Sequence, residues 1–218
     1  TKDMAQVKNI IFDFDGTLVD TAPLIIKTMQ ATMRVMNLPI RDNEQCRAVI
    51  GLRLEEIPDV LWPDHPGIGD EFSKTYRRIF NELKFPLNVV CYPKVTKTLR
   101  ILLSEGFGMA VASSRNHKSL NEFLRLFGIS DCFSTVIGGD DIKNGKPAPD
   151  TVLEILNIEG WTPEETMVVG DAEFDIIMGK EAGAKTCAVT YGNGTDSELR
   201  AARPDFMIPR FSDLLNIL

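Results

Sequence analysis

Five short apolar runs, at residues 7–12, 108–112, 135–137, 166–169 and 185–189, are separated by stretches with helical character. Each run is expected to form a buried strand. Between the later runs, Leu120, Phe123, Leu124 and Phe127 fall on one helical stripe with Gly128 placed to end it. Ile176, Ile177 and Lys180 lead in the same way to Gly183, and Thr162-Pro163-Glu164-Glu165 carries capping-box spacing with proline at a first helical position. Strands alternating with helices predict an α/β fold, a doubly wound, Rossmann-like parallel sheet covered on both faces.

One region breaks this rhythm. From residue 21 to residue 88 the pattern is helical: Pro23 opens a stripe through Ile25, Met29, Met33 and Met36, and further helical segments cover 47–60 and 71–83. A crossover needs only about a dozen residues, so this stretch is too long for one. It is expected to be an all-helical cap inserted into a core made of residues 1–20 and 89–218, standing over the carboxyl ends of the strands where open α/β sheets bind ligands. The methionines on its stripe are expected to serve packing.

Composition narrows the function. A formal charge of −7 over 218 residues argues against a nucleic-acid footprint, which requires a basic face. Cys46, Cys91, Cys132 and Cys187 lie far apart, with no CxxC pair, and are expected to be reduced thiols. Residues 1–8 are polar, and no run approaches the ~20 apolar residues of a membrane span, so no membrane partner is expected and the expected setting is the cytoplasm.

Residues with chemistry cluster where the apolar runs stop. Asp13 and Asp15 lie two apart in Asp13-Phe14-Asp15-Gly16-Thr17, so an extended backbone projects both carboxylates to one side. Such close like charges require a compensating cation, or one protonated carboxyl. Residues 110–115 end in Ser113, Ser114 and Arg115; Lys146 opens the stiff Lys146-Pro147-Ala148-Pro149-Asp150; and residues 168–175 end in Asp171, Glu173 and Asp175. In isolation a strand-end serine is a cap, a lysine before proline is a surface group, and Asp175 is a helix-start charge. Taken together they suit a divalent metal gripping a phosphoryl group.

In this order the signatures DxDGT, strand-end Ser, Lys and GDxxxD resemble those of the haloacid dehalogenase superfamily, and the helical insert is similar to the cap of its phosphoglycolate phosphatase and β-phosphoglucomutase type. The resemblance covers nearly the whole chain. It implies a Mg2+-dependent phosphatase for a small phosphorylated metabolite, acting as a monomer or homodimer. Asp13 would attack phosphorus and form an aspartyl-phosphate, while Asp15 would protonate the leaving alcohol and then deprotonate water. Ser113 and the backbone N–H of Ser114 would bind phosphate, and Lys146 would neutralise charge on Asp13 and the phosphoryl oxygens. The implied metal ligands are the Asp13 carboxylate, the Asp15 main-chain carbonyl and Asp171, with Asp175 acting through water.

Departures from the relatives sharpen this expectation. The dehalogenating branch lacks the second acid of DxD and needs no metal, so Asp15 and Asp171 argue against it. The cap histidine of the β-phosphoglucomutase branch aligns with Ile25, which favours hydrolysis over a mutase reaction; a pyrophosphatase and a non-enzymatic phosphoacceptor module are the other rivals. Arg53, in a cap segment similar to the phosphoglycolate phosphatase specificity loop, and Arg115 are candidate substrate contacts. His65 and His117 show no convincing partner in the sequence, and His117, although close enough to the second signature to line the cleft, is expected at the surface.

Overall fold

A computed structural model describes residues 6–85 and 88–218. Strand β1 (Asn9–Phe12) is followed by β2 (Val19–Asp20) and four helices, α1 (Ala22–Val35), α2 (Asn43–Ala48), α3 (Ile57–Leu61) and α4 (Gly69–Leu83). Then come β3 (Val90–Cys91), α5 (Val95–Ser104), β4 (Gly108–Ala112), α6 (His117–Leu126), β5 (Thr135–Ile137) and α7 (Asp150–Glu159). The chain closes with β6 (Thr166–Gly170), α8 (Glu173–Glu181), β7 (Lys185–Val189), α9 (Asp196–Ala202), β8 (Phe206–Ile208) and α10 (Leu214–Ile217).

Six strands form one parallel sheet in the order β5-β4-β1-β6-β7-β8. All four residues of β1 are buried, which is why the strand reads as a continuous apolar run. Ile10 and Phe12 pack into the cluster with Leu99, Val111, Val169 and Phe211, whereas Ile11 packs on the other face with Ala110, Val152, Ile155 and Val168. Burying each such side chain stabilises the fold by roughly 1.5–3 kcal/mol before chain entropy is counted.

The order of strands reverses at β1. The chain builds outward on one side through β4 and β5, then on the other through β6, β7 and β8. Phe12 pairs with Val111 and with Val169, so β1, β4 and β6 end nearly level beside the switch point, the place where such sheets hold ligands.

Four details differ from the sequence-based expectations. Val19 and Asp20 pair antiparallel with Cys91 and Val90, a two-stranded ribbon at the ends of the helical stretch that is too short to show a period. The expected helix over 47–60 is broken between α2 and α3, because Gly51 adopts φ +112° and Ile50 bridges Leu52. Residues 163–165 make a single 3₁₀ turn without a side-chain cap, since the next residues are drawn into β6 against β1. The short edge strand β8 (Phe-Met-Ile) lies outside the five runs, and only Ile208 of it is buried.

Candidate active site

Parallel registration places the key side chains. Asp13 is the residue after β1, Ser113 the residue after β4 and Asp171 the residue after β6. Asp13 N–H donates to Val169 O at 2.9 Å and Ser113 N–H donates to Ile137 O at 3.0 Å, so both are held by the last rungs of the sheet. All three side chains are buried.

Lys146 arrives from the loop between β5 and α7. Its Nζ donates to Asp13 Oδ1 at 2.5 Å and to Asp175 Oδ1 at 2.7 Å. Burial opposes its charge, but the two carboxylates outweigh that and hold its proton affinity above the ordinary lysine range. Asp13 is pushed well above the usual carboxylate range by burial, then by the charge of Asp175, against the pull of Lys146. Asp171 is raised to about 6 by burial and by Asp175, although Asn193 N–H donates to it at 2.6 Å and Thr17 Oγ1 at 3.0 Å.

Carboxylate oxygens of Asp13, Asp171 and Asp175 lie within 4.8 Å of one another, all buried. Three acids face one lysine here, and a hard divalent cation fits that imbalance and that donor set. Asp175 accepts from Lys146 through one oxygen and from Ala172 N–H, at 3.1 Å, through the other. It therefore anchors the lysine as well as starting α8.

Asp15 belongs to a second cluster in the same cleft. Its Oδ1 accepts from Thr21 Oγ1 at 2.6 Å and from Arg115 Nη2 at 2.5 Å, and its Oδ2 accepts from Arg115 Nε at 3.1 Å. Arg115 is thus the partner of an acid, with a largely buried side chain in the cleft wall. Ser113 Oγ accepts from Arg115 N–H at 3.1 Å, and Ser114 Oγ donates to Gly51 O at 2.6 Å, which ties the β4 end to the helical insert.

Arg53 lines the cleft as well. Its Nη1 donates to Lys143 O at 2.7 Å and its Nη2 to Ile142 O, both in the loop that carries Lys146. His117 does have a partner, Asp141, at 2.5 Å from its Nδ1, and it starts α6 at the cleft edge; His65 is exposed.

The sequence reading missed Thr17, Thr21 and Asn193. Asn193 touches Asp171 through its backbone and accepts from Arg47 of the insert through its side chain at 3.0 Å. Its one local signal is the turn Gly192-Asn193-Gly194 after β7; a Cβ at either glycine would strike Asp171.

A cleft lined by Asp13, Asp15, Ser113, Ser114 and Arg115 has a volume of about 1350 Å³, and its other wall comes from the insert, where Ile25, Met29, Leu54, Tyr76 and Phe80 face it. Strand-end acids at one edge of a parallel sheet, a buried lysine bonded to two of them and a helical insert beside them are the features of a hydrolase with an α/β core. The sequence pattern of the haloacid dehalogenase-like hydrolase family matches residues 10–189, and the chain belongs to that family. It is 34% identical to the pyrophosphatase PpaX of Anoxybacillus flavithermus over 98% of this chain and 97% of that protein. It is 32% identical to the phosphoglycolate phosphatase of Aquifex aeolicus, covering 96% of this chain and 95% of the relative. The crystal structure of a predicted phosphoglycolate phosphatase from Haemophilus somnus 129PT superimposes with a TM-score of 0.86 at 28% identity, covering 98% and 99% of the two chains.

Proposed function

We propose that this hydrolase is a magnesium-dependent phosphatase that cleaves a small phosphomonoester through a phosphorylated Asp13. The carrying observation is the buried contact of Lys146 with Asp13, whose side of the cleft Asp15 and Ser113 also line. A buried carboxylate held in place by one ammonium is well placed to attack phosphorus.

In the first half-reaction an oxygen of Asp13 bonds to phosphorus, the bond from phosphorus to the leaving oxygen breaks, and Asp15 supplies that oxygen with a proton. In the second, Asp15 takes a proton from water as the water oxygen bonds to phosphorus, and the bond to Asp13 breaks. Ser113 and the Ser114 N–H bind the phosphoryl oxygens, and Lys146 offsets their charge. Asp13, Asp171 and the Asp15 carbonyl would hold magnesium, with Asp175 acting through water. When bound, the ion supplies charge neutralisation for the acids and the phosphoryl group.

Residues 21–88 act in this reading as a cap over a core of 1–20 and 89–218, excluding water and selecting substrate. The unpaired cysteines support a reducing setting, the cytoplasm. No helix among the described residues is long and apolar enough to cross a membrane. Pyrophosphate is a second candidate substrate, favoured by the likeness to PpaX.

The test is a screen of phosphoglycolate, hexose phosphates, nucleotides, 4-nitrophenyl phosphate and pyrophosphate, with magnesium present or chelated. Release of orthophosphate that requires magnesium supports the reading. Failure to release it from any of them, by folded protein, would end it.

A further inference from the structure

The side chain of Arg115 is built into the site more deeply than a substrate contact would be. It is 8% exposed, and its partner Asp15 is 12% exposed. Its guanidinium carbon lies 5.7 Å from the ring centre of Phe14, 5.2 Å from Phe80 and 4.8 Å from Phe123. Its Nη1 donates to Ser119 Oγ at 3.1 Å, which leaves Nε and Nη2 to form a fork on the two oxygens of Asp15. Thr21 supplies a further donor to Asp15 Oδ1. Both oxygens of Asp15 therefore accept hydrogen bonds, and the plane of the carboxylate is fixed. The aromatic surround draws on both parts of the molecule, since Phe80 comes from α4 of the insert and Phe123 from α6 of the core.

We infer that Arg115 is a positioning residue for the second half-reaction: clamped among Phe14, Phe80 and Phe123, its guanidinium fork aims the Asp15 carboxylate at the water that hydrolyses phosphorylated Asp13. The inference rests on the phosphatase reading above. In that step the water oxygen bonds to phosphorus, its proton passes to Asp15, and the bond between phosphorus and Asp13 breaks. Orthophosphate leaves, and Asp13 returns as a carboxylate. Misaiming a reacting group by about 1 Å costs about a hundredfold in rate.

The test uses 4-nitrophenyl phosphate, whose leaving group needs little protonation, with Arg115→Met and with Arg115→Lys, which keeps the charge and removes the fork. Both variants are expected to form the phosphoenzyme normally, with kcat/KM within about threefold of the parent, and to break it down about a hundredfold more slowly. A rapid burst of roughly one nitrophenolate per active site should then precede a slow steady rate, with kcat and KM falling together. Equal losses in kcat and kcat/KM without a burst, or an unchanged kcat, would overturn the role of Arg115 alone. An inactive parent enzyme would overturn the phosphatase reading with it.

Discussion

Lys146 Nζ lies 2.5 Å from Asp13 Oδ1, and neither side chain is more than 5% exposed. Deleting one partner of a buried ion pair strands the other, which costs about 3–5 kcal/mol. Lys146→Met is therefore expected to lower unfolding free energy by roughly 3 kcal/mol in urea, since Asp13 and Asp175 both lose their cation. Activity should fall at least about a thousandfold, the scale of removing a key electrostatic group. An unchanged urea midpoint would show that the pair contributes nothing.

Asp13→Asn separates chemistry from scaffolding. Its amide is nearly isosteric, so the fold should persist, yet the variant offers no carboxylate to attack phosphorus. Phosphatase activity is expected to drop at least about a thousandfold, while the circular dichroism spectrum is unchanged. Normal turnover would remove Asp13 from the mechanism.

The acid cluster predicts a response to magnesium that can be read without substrate. Asp13, Asp171 and Asp175 repel one another inside the protein, and a cation binding only the folded state stabilises it by about 2.7 kcal/mol at a hundredfold excess over its Kd. For a chain of this length that raises Tm by roughly 5 °C or more. Asp171→Asn should abolish most of the rise in differential scanning fluorimetry. A full magnesium shift in that variant would place the ion elsewhere.

Gly16 supports the same cluster sterically. It has φ +90°, and a Cβ there would strike Asp171 Oδ2 and Asn193 Nδ2. Gly16→Ala is expected to cost about 1–3 kcal/mol from backbone strain and to blunt the magnesium shift by displacing Asp171. Calorimetry with and without magnesium checks both effects, and a wild-type Tm with an intact shift would contradict them.

What was legible in the sequence follows from the range of the forces involved. β1, β4 and β6 are buried on both faces, so each left an uninterrupted apolar run, and the acids and hydroxyl stood at the ends of those runs. Asp13, Ser113 and Asp171 could therefore be placed at one edge before any coordinates. The fork between Arg115 and Asp15 could not, because it joins residues 100 positions apart and depends on three rings converging. Asn193 was hidden for the same reason. Residues 162–165 failed differently: their local capping signal was real, but pairing of the next residues in β6 prevailed over it.

Arg53, expected as a substrate contact, lines the cleft and also holds a neighbouring loop. As a substrate contact its loss would raise KM and leave the rest of the protein alone. In the structure its Nη1 and Nη2 donate to the carbonyls of Lys143 and Ile142 while Nε has no hydrogen-bond partner among the described residues, and its side chain packs so closely on Gly145 that a Cβ there would lie 2.7 Å from Arg53 Nε. Those contacts brace the loop that delivers Lys146. Arg53→Ala is thus expected to speed amide hydrogen exchange across residues 142–146 and to lower kcat about tenfold, because hydrogen bonds from a charged donor are worth about 1.5–3 kcal/mol and only part of that loss reaches Lys146. Gly145→Ala should reproduce the faster exchange by forcing Arg53 away. A rise in KM alone, with the exchange of the loop unchanged, would return Arg53 to the role of a substrate contact.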